Sequence, residues 1–434
     1  MKAYIKTFGC QMNEQDSEVM KGLLARQGYE QVAKPEEAEL ILINTCSIRE
    51  KSYQKAMSTI GRNFAGAIVG VAGCVASQAG EKLLKRFQNV DFVLGTDQIH
   101  RLPEVLERVK GNHQRVVYTD FQDLSDYEFP VPLTNSQTKQ VKAYVTIMKG
   151  CDNACSFCIV PLTRGGEVSR SSQEILEEIR GLQRNGVREV MLLGQNVNSY
   201  GKRLSPKITF AELLRLIEAG TSLDRIRFTS PHPKDLSKDL VREYGRNRRL
   251  CPHIHLPVQS GSNKILKAMR RSYTREIYLR RVAALRKVCP DVAITTDMII
   301  GFPGETEPQF EETLQLVEEV GFDQSYYFEY SPRPGTEAFR LVDNVPQGVK
   351  KERLQRLQLL QERISEAKNR LRIGKIEAVL VEGPSLQGGG QLSGRTPHGR
   401  IVNFVGRERM IGAIIPVKIL KVSPYSLGGE VSVD

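Results

Sequence analysis

The chain has 434 residues, of which 40% are hydrophobic and 26% are charged, a balance typical of a globular protein with enough apolar material for buried cores. At about 150 residues per domain, this length predicts roughly three domains. The net charge of +12 favours a polyanionic partner such as nucleic acid.

The same composition argues against a membrane or secreted protein. No apolar run approaches the ~18–20 residues of a membrane helix, and the first residues lack the apolar segment of a signal peptide, so we expect no membrane partner. Eight cysteines in such a chain indicate metal or redox use in a reducing compartment rather than a disulfide framework. We therefore expect a cytoplasmic protein.

The first segment, residues 1–118, alternates predicted strands and helices, which indicates a parallel α/β sheet domain. The predicted strands cover 3–7, 40–44, 67–72 and 92–94, and the predicted helices cover 15–27, 49–63, 80–87 and 99–109. A polar linker is predicted from about 119 to 140.

Three cysteines of this segment, Cys10, Cys46 and Cys74, each come directly after one of the first three predicted strands. The carboxyl ends of parallel strands meet at one edge of a sheet, where ligands bind. We therefore expect the three thiols to converge and to hold a cluster. The alternative is three small buried side chains, since free cysteine is often buried, but a core-filling role does not explain why all three lie in loops after strands.

The middle segment, residues 137–367, contains six predicted strands separated by helical patterns. The strands cover 141–148, 188–193, 225–229, 253–256, 293–299 and 323–329. Six such units predict a partial (βα)6 barrel, in which the chemistry belongs at the carboxyl ends of the strands.

The last segment, residues 370–434, follows a charged helix predicted over 347–372. Short runs of β character with glycine turns predict a small β-barrel there. The runs cover 376–382, 394–405, 411–422 and 429–433.

The first strand of the partial barrel is followed by Cys151, Cys155 and Cys158, in a C-x3-C-x2-C run. Three thiolates on so tight a turn can hold three irons of a cubane cluster and leave the fourth iron open to a small molecule. The alternatives are a zinc knuckle, which usually needs a fourth ligand, and a redox pair, which leaves one cysteine over. The spacing resembles that of the radical S-adenosylmethionine (SAM) superfamily, in which the open iron binds SAM.

Polar or glycine-containing loops after three further barrel strands supply candidate SAM contacts. The candidates are Gln195 and Asn196 after the second strand, Gln259 and Ser260 after the fourth, and Gly301 and Glu305 after the fifth. The amides suit the amino or carboxylate group of SAM, and the glycine allows close approach of a planar base. Each loop is also an acceptable ordinary turn, and only their shared position after barrel strands favours the binding interpretation.

The small barrel contains candidate RNA contacts of the basic, amide and aromatic types that bind single strands. They are Arg395, Arg400, Asn403 and Phe404. The alternatives are a solvated basic surface and, for Phe404, a place in the core of the barrel. Basic patches at 246–249 and 270–271 are interpreted as solvated faces. Since every cluster and SAM candidate precedes this barrel, we expect a chain ending at Leu371 to retain SAM cleavage.

Several motifs resemble the methylthiotransferases, a family within the radical SAM superfamily, and the resemblance covers nearly the whole chain. They are FGCQMN at 8–13, NTCSIREK at 44–51, AGC at 72–74, CDNACSFCIVPLTRG at 151–165, LLGQNVNSY at 192–200, FTSPHP at 228–233, HLPVQSGS at 255–262 and YSPRPGT at 330–336. The motifs GRT at 394–396 and VNF at 402–404 resemble an RNA-binding TRAM domain. Leu162, where the most similar branch of the family usually has tyrosine, and Gly399, where asparagine is common, depart from the pattern.

The resemblance implies two cofactor sites. The cysteines at 151, 155 and 158 would hold a 4Fe-4S cluster whose open iron binds SAM, and those at 10, 46 and 74 would hold an auxiliary 4Fe-4S cluster that delivers sulfur. The motif at 228–233 adds Ser230 to the SAM candidates. One SAM would donate a methyl group to sulfur, and a second would be reduced to an adenosyl radical.

The motifs around Cys10 and Gln195 are most similar to the branch that inserts a methylthio group at C2 of N6-isopentenyladenosine, next to the tRNA anticodon at position 37. This implies tRNA carrying that base as partner, an electron donor such as flavodoxin, and a monomeric enzyme. The alternatives within the family are a threonylcarbamoyladenosine of tRNA and an aspartate of a ribosomal protein. The alternative from another class is a non-catalytic RNA-binding iron–sulfur protein.

Overall fold

A computed structural model describes residues 1–48, 50–64, 66–112, 114–123, 127–131 and 140–432. Residues 124–126 and 132–139 of the predicted linker, Arg49 of the second predicted helix, and positions 433 and 434 lie outside the described residues. Within those ranges, no helix is both long and apolar enough to cross a bilayer.

The first unit is a parallel sheet with strand order β2-β1-β3-β4-β5-β6. Its strands are β1 (Lys2–Thr7), β2 (Glu30–Gln31), β3 (Leu40–Thr45), β4 (Ile68–Gly73), β5 (Phe92–Leu94) and β6 (Val116–Tyr118). The predicted parallel α/β domain is confirmed. The two edge strands, β2 and β6, were not predicted, because runs of two and three residues carry too little periodicity to be recognised.

Helices cover both faces of this sheet. They are α1 (Gln11–Arg26), α2 (Glu50–Ile60), α3 (Cys74–Ala79), α4 (Glu81–Arg86) and α5 (Leu102–Asn112), with 3-10 turns at Pro35–Glu37 and Ile99–Arg101. Helices α1 and α5 pack on one face, and α2 to α4 pack on the other. Helix α3 was not predicted, so Cys74 is the first residue of a helix and not a loop residue.

The central unit is the predicted open barrel, with all six strands at the predicted places. They are β7 (Lys142–Thr146), β10 (Glu189–Leu193), β11 (Arg225–Phe228), β12 (His253–His255), β13 (Ala293–Ile300) and β14 (Gln324–Glu329). Two sheets of three parallel strands meet at a single bridge between Ile226 and Leu250. A short antiparallel pair, β8 (Met148–Lys149) with β9 (Val168–Ser169), brackets the cysteine run.

The helices of this unit surround its strands. They are α6 (Val160–Arg164), α7 (Ser172–Arg184), α8 (Phe210–Gly220), α9 (Lys238–Arg246), α10 (Asn263–Ala268), α11 (Arg275–Val288), α12 (Glu307–Val320) and α13 (Gln347–Arg370), with 3-10 turns at Val197–Ser199, Pro233–Asp235 and Ala338–Arg340. The long helix α13 packs Leu357 and Leu360 against the core of the barrel.

The third unit is a closed barrel in the order β15-β16-β17-β19-β18. Its strands are β15 (Ile376–Pro384), β16 (Gln391–Arg395), β17 (Ile401–Val405), β18 (Ile414–Val422) and β19 (Leu427–Val431), with a 3-10 turn at Glu408–Met410. The single run predicted at 394–405 is two strands, because the chain turns at Gly399, where φ is +82°. The Phe404 ring is 1% exposed in the barrel core, so it has no face open to a base, and the core interpretation is correct.

The small barrel is held against the amino-terminal ends of the central strands by buried charged groups. Arg225, on β11, donates to the carbonyl oxygens of Arg395 at 2.7 Å and Ala378 at 2.8 Å. Arg227 donates to the carbonyl oxygen of Thr396 at 2.8 Å. The small barrel is therefore part of one packed body with the central unit.

Arg400 belongs to this interface as well. Its guanidinium pairs with Asp323 at 2.6 Å and donates to Asn369 at 3.1 Å. The expectation that it contacts RNA is wrong, because the side chain is 11% exposed and already neutralised by a carboxylate of the central unit. A chain ending at Leu371 would also remove the barrel carbonyls that accept from Arg225 and Arg227, and would leave Glu189 as the carboxylate that the two buried arginines share. We therefore expect truncation to destabilise the central unit, against the expectation from sequence.

Arg225→Met tests this interface. The change removes two hydrogen bonds from a charged donor, which contribute about 1.5–3 kcal/mol each, so the free energy of unfolding should fall by about 3 kcal/mol or more. Denaturant unfolding measures it. Arg242→Met is the control, because that side chain is 71% exposed and surface changes shift stability by only about 0.5 kcal/mol. Equal stability of the two variants would contradict the interface.

Candidate active site

The cysteine run 151–158 lies in a loop enclosed by the β8–β9 pair. The amide of Cys151 donates to the carbonyl of Gly165 at 3.1 Å, and the amide of Cys158 donates to the carbonyl of Cys155 at 3.1 Å. Gly150 is required here: its φ is +74°, and a Cβ would come within 1.8 Å of the Gly166 carbonyl oxygen. Burial raises the pKa of Cys151 to about 11 and that of Cys158 to about 12.

Two side chains that the sequence did not single out approach the middle thiol. The Arg271 guanidinium donates to Cys155 Sγ at 3.3 Å and to the Pro257 carbonyl at 2.9 Å, and it is 5% exposed. His232 Nε2 lies 4.0 Å from the same sulfur, and burial among cations lowers the pKa of His232 to about 2, so it is neutral. The interpretation of 270–271 as a solvated face is therefore wrong for Arg271.

The N-terminal cysteines converge around Asn13, in the first turn of α1. Asn13 Oδ1 lies 3.9 Å from Cys10 Sγ and 3.9 Å from Cys74 Sγ. Its Nδ2 donates to the Thr45 carbonyl, next to Cys46, at 2.7 Å. Gly9 allows the first two loops to meet, because its φ is +124° and a Cβ there would lie 2.6 Å from Cys46 Cβ.

Burial dominates the electrostatics of Cys74 in this second set of thiols. It raises the pKa of Cys74 to about 11, the Arg164 guanidinium opposes this rise, and the neighbouring thiols Cys46 and Cys10 add to it. The three cysteines that follow strands far apart in sequence are thus brought together at one sheet edge. Across the described ranges, no three Cys, His, Asp or Glu side chains are grouped closely enough to hold a single metal ion.

Gln195 and Asn196 differ in how the protein uses them. The Gln195 Oε1 atom accepts from the amide of Gly150, while its Nε2 is buried with no hydrogen-bond partner among the described residues. Asn196 donates to Asp235 at 2.9 Å and to Glu167 at 3.3 Å, and it accepts from the His232 amide at 3.2 Å. Asn196 therefore braces the loops, whereas Gln195 presents an unused donor beside the cysteine run.

Left-handed backbone is concentrated around this site. The non-glycine residues described with positive φ are Ser230 (59°), Gln259 (74°), Arg270 (54°) and Ser272 (58°). Two of them are predicted SAM contacts, and the other two flank Arg271. Such residues cost about 1–3 kcal/mol each and occur mainly at functional sites, so the strain supports the site predicted at these loops.

The remaining SAM candidates have structural contacts of their own. Ser260 is fully buried, lies 3.4 Å from the Thr313 hydroxyl and accepts from the Ser262 amide. Glu305 Oε2 accepts from the Gly301 amide at 2.8 Å and from Arg353 at 3.1 Å, which closes the loop after β13. Burial raises the pKa of Glu305, and its Oε1 has no partner among the described side chains and backbone.

The donors around the core cysteines fit a bound polar ligand and a cluster. Three thiols supply ligands for iron, and two buried amide groups of this loop region, Gln195 Nε2 and Asn153 Nδ2, lack partners in the described part of the chain. Buried polar groups are normally satisfied, and each exception calls for a ligand, an ion or water. The donor set therefore suits an iron–sulfur cluster with a ligand bearing carboxylate or amine groups.

The two cysteine sets are linked through α6. This helix starts two residues after Cys158 and ends at Arg164, whose guanidinium donates to Asn13 Oδ1 at 3.0 Å and to Asp16 at 2.6 Å. The Thr96 hydroxyl donates a hydrogen bond to the carbonyl of Thr163 at 2.6 Å. A five-residue helix thus connects the core cysteine run to the centre of the N-terminal set.

Two predicted RNA contacts on the small barrel are partly exposed. Arg395 is 38% exposed and pairs with Glu382 at 3.2 Å. Asn403 Oδ1 lies 2.9 Å from the Ser385 hydroxyl. Arg407 and Arg409, in the loop after β17, are exposed cations of the same barrel.

Three family models match the chain. They are Uncharacterized protein family UPF0004 over residues 2–95, Radical SAM superfamily over 145–317 and TRAM domain over 370–432. Full-length relatives named tRNA-2-methylthio-N(6)-dimethylallyladenosine synthase include one from Syntrophotalea carbinolica, 46% identical over 98% of this chain and 99% of the relative. Another, from Trichlorobacter lovleyi, is 47% identical over 99% of both chains.

The chain belongs to the tRNA-2-methylthio-N(6)-dimethylallyladenosine synthase family. As a member of that family it is a radical SAM enzyme, which confirms the class predicted from the cysteine run. A further relative of that name, from Myxococcus xanthus, is 47% identical over 99% of this chain and 94% of its own.

Solved structures share the fold at low identity. A radical S-adenosylmethionine methyltransferase from Kitasatospora setae, with cobalamin and a 4Fe-4S cluster bound, superposes with a TM-score of 0.57 at 14% identity, over 78% of this chain and 73% of that one. The cobalamin-dependent S-adenosylmethionine radical enzyme OxsB gives 0.51 at 13% identity, over 82% and 56%. This synthase-family chain thus has the fold of known radical SAM enzymes.

The raised pKa values of Cys74, Cys151 and Cys158 lead to a prediction for the metal-free protein. Alkylation needs the thiolate, and a pKa of about 11 rather than about 8.5 lowers the thiolate fraction at pH 8 about a hundredfold. Cys74, Cys151 and Cys158 should therefore react with iodoacetamide at least about a hundredfold more slowly in the folded chain than in urea, as measured by peptide mass spectrometry. Similar rates in the two states would contradict the raised pKa values of these thiols.

Proposed function

We propose that this protein inserts a methylthio group at C2 of N6-isopentenyladenosine at position 37 of tRNA. The observation that carries the proposal is the arrangement of two separate sets of three cysteines, joined by one short helix. Relatives that match the whole chain, and that are named for this product, support the substrate. One SAM would donate the methyl group, a second would accept the C2 hydrogen on its adenosyl carbon, and the auxiliary site would supply the sulfur.

We assign a 4Fe-4S cluster to Cys151, Cys155 and Cys158. The thiolates of a cubane each bind a different iron, so they are spread more widely than the ligands of a single ion. When bound, such a cluster supplies an open iron for SAM and the electron that splits its sulfonium bond. The protein orients SAM: the free Nε2 of Gln195 suits its carboxylate, and the buried Glu305 Oε1 suits a donor group of the ligand.

Charged and neutral groups around the core cysteines have distinct tasks in this proposal. Arg271 offsets the negative charge of the Cys155 thiolate, because its guanidinium is buried beside that sulfur. His232 offers a polar contact without adding charge, because it is neutral. Burial of these groups excludes water from the site, which protects reactive species from side reactions.

We assign the second 4Fe-4S cluster, the sulfur-donating one, to Cys10, Cys46 and Cys74. Support comes from their convergence on Asn13, in a part of the chain with no other evident use for three thiols. Cys46 and Cys74 are 1% and 2% exposed, so a cluster held there would be shielded from solvent. Helix α6 would then separate the two clusters.

For tRNA, the proposal uses the exposed cations of the small barrel, Arg395, Arg407 and Arg409, as phosphate contacts. Contacts of this kind release counterions, so the affinity for tRNA should fall as salt rises. Because tRNA is the substrate, we propose that the enzyme acts in the cytoplasm. We also propose that it receives electrons from a donor such as flavodoxin and that it is a monomer.

The proposal is tested with anaerobically reconstituted protein, a reductant, SAM and an anticodon stem-loop carrying N6-isopentenyladenosine. Replacing Cys151, Cys155 and Cys158 by Ala should abolish release of 5′-deoxyadenosine. Replacing Cys10, Cys46 and Cys74 by Ala should preserve that release and abolish the methylthio nucleoside, because the two sites have separate roles. Nucleoside mass spectrometry measures the product.

A stem-loop with unmodified adenosine is the matched substrate control, and it should give at least tenfold less product. Methylthiolated nucleoside from the N-terminal triple variant would contradict the auxiliary site. If product forms only from a threonylcarbamoyladenosine substrate, the assignment of N6-isopentenyladenosine as the substrate base is wrong. If the intact protein does not cleave SAM at all, the assignment of radical SAM activity is wrong.

A further inference from the structure

We propose that Arg164 is a positioning residue of the N-terminal cluster: its buried guanidinium, supplied by the radical SAM domain, raises the reduction potential of that cluster and holds Asn13 among its cysteines. The inference rests on the proposed function, because it requires a cluster at Cys10, Cys46 and Cys74. Neither the family models nor the names of the relatives assign this residue a role.

The position of Arg164 is unusual for an arginine. It is the last residue of α6 and is 6% exposed, yet its charge points across the domain boundary into α1. One guanidinium nitrogen, NH2, donates to Asn13 Oδ1 at 3.0 Å and to Asp16 Oδ2 at 2.6 Å. A buried charge is retained only where it is paired and hydrogen-bonded, and both of its side-chain partners belong to the other domain.

Asn13 links Arg164 to the thiols. The same Oδ1 atom that accepts from Arg164 lies 3.9 Å from Cys10 Sγ and 3.9 Å from Cys74 Sγ. The Nδ2 atom is bound to the carbonyls of Phe8 and Thr45, which precede Cys10 and Cys46. The guanidinium therefore keeps the oxygen of the Asn13 amide, rather than its nitrogen, directed at the cysteines.

The charges around Arg164 do not cancel at the thiols. Asp16 pairs with Arg164, and a second buried pair, Lys149 with Asp97, lies in the same boundary. The attraction that Arg164 exerts on Cys74 is larger than the repulsion from Asp16. The Arg164–Asp16 pair therefore places a positive field at Cys74, and a positive field stabilises the more negative, reduced state of a cluster.

A purely mechanical role gives a different expectation. If Arg164 only clamped the domains together, removing either partner of the Arg164–Asp16 pair would have the same effect. If its charge acts on the cluster, the two changes should shift the potential in opposite directions. This difference in sign separates the two accounts.

The experiment uses the full chain with Cys151, Cys155 and Cys158 replaced by Ala, so that the remaining iron sits at the N-terminal cysteines. An EPR-monitored redox titration then gives the midpoint potential of that cluster. Arg164→Gln should lower the equilibrium constant for one-electron reduction by at least about tenfold, which is ~59 mV. Asp16→Asn should raise it, and Arg164→Lys should retain most of the parent value.

Thr96→Val is the matched control. It removes the neutral hydrogen bond from Thr96 to the Thr163 carbonyl, next to Arg164, and so loosens the same contact without changing charge. Its potential should equal that of the parent. Shifts of the same sign in Arg164→Gln and Asp16→Asn, or no shift in either, would overturn the inference.

Iron content keeps the two proposals apart. A parent triple variant with no iron would contradict the proposed auxiliary cluster itself, whereas a parent that binds about four irons with unshifted variants would contradict only the role of Arg164. If Arg164→Gln loses its iron, Asp16→Asn decides alone, and an unchanged or lowered potential in that variant would overturn the inference.

Discussion

The carboxyl edges of two parallel sheets face each other in this molecule, and the candidate chemistry depends on that arrangement. On the N-terminal side, the contacts come from residues that follow β1, β3, β4 and β5. On the other side, they come from residues that follow β7 and β14. The interdomain contacts include Asp16 with Arg164, Glu50 with Arg333, Gln78 with the Pro334 carbonyl, and Asp97 with Lys149. Because both edges are where parallel sheets bind ligands, two sites that could each exist alone are brought to a shared boundary.

Two of these contacts, Asp16 with Arg164 and Asp97 with Lys149, are buried ion pairs. Isolated buried charges are costly, and each one here is matched by an opposite charge from the facing domain. The specificity of the docking therefore comes from charge pairing. The small barrel is also held by buried cations at the far end of the central unit, where Arg400 pairs with Asp323 and Arg225 and Arg227 donate to backbone carbonyls of the barrel.

The two interfaces give the enzyme a defined polarity. The small barrel lies at the amino ends of the central strands, and the cysteines lie at the carboxyl ends. A six-residue strand such as β14 is about 20 Å long, so a tRNA held by the small barrel must extend at least that distance to reach the core cysteines. A folded stem-loop, rather than a free nucleoside, meets that requirement.

The sequence alone predicted the three units, the six central strands and both cysteine sets, because the periodicity of hydrophobic residues, glycine turns and the ends of strands are local signals. It did not reveal the roles of Arg271 and Arg164. Each lies in an ordinary basic or amphipathic stretch, and its importance arises from a contact with a distant segment. Phe404 and Arg400 show the opposite error, because their residue types suggested RNA contacts. In the structure, the Phe404 ring lies in the core of the small barrel, and the Arg400 guanidinium lies in the interface with the central unit. The left-handed backbone at Ser230 and Gln259 was also invisible, because neither residue type demands positive φ.

The central claim is that two iron–sulfur clusters sit in two cysteine sets on either side of α6. Anomalous diffraction at the iron edge, from crystals of the anaerobically reconstituted full chain, tests it directly. The account predicts two separate iron sites, each of about four irons, one bound by Cys151, Cys155 and Cys158 and the other by Cys10, Cys46 and Cys74. Iron at the first set alone, with no anomalous density near Asn13, would contradict it.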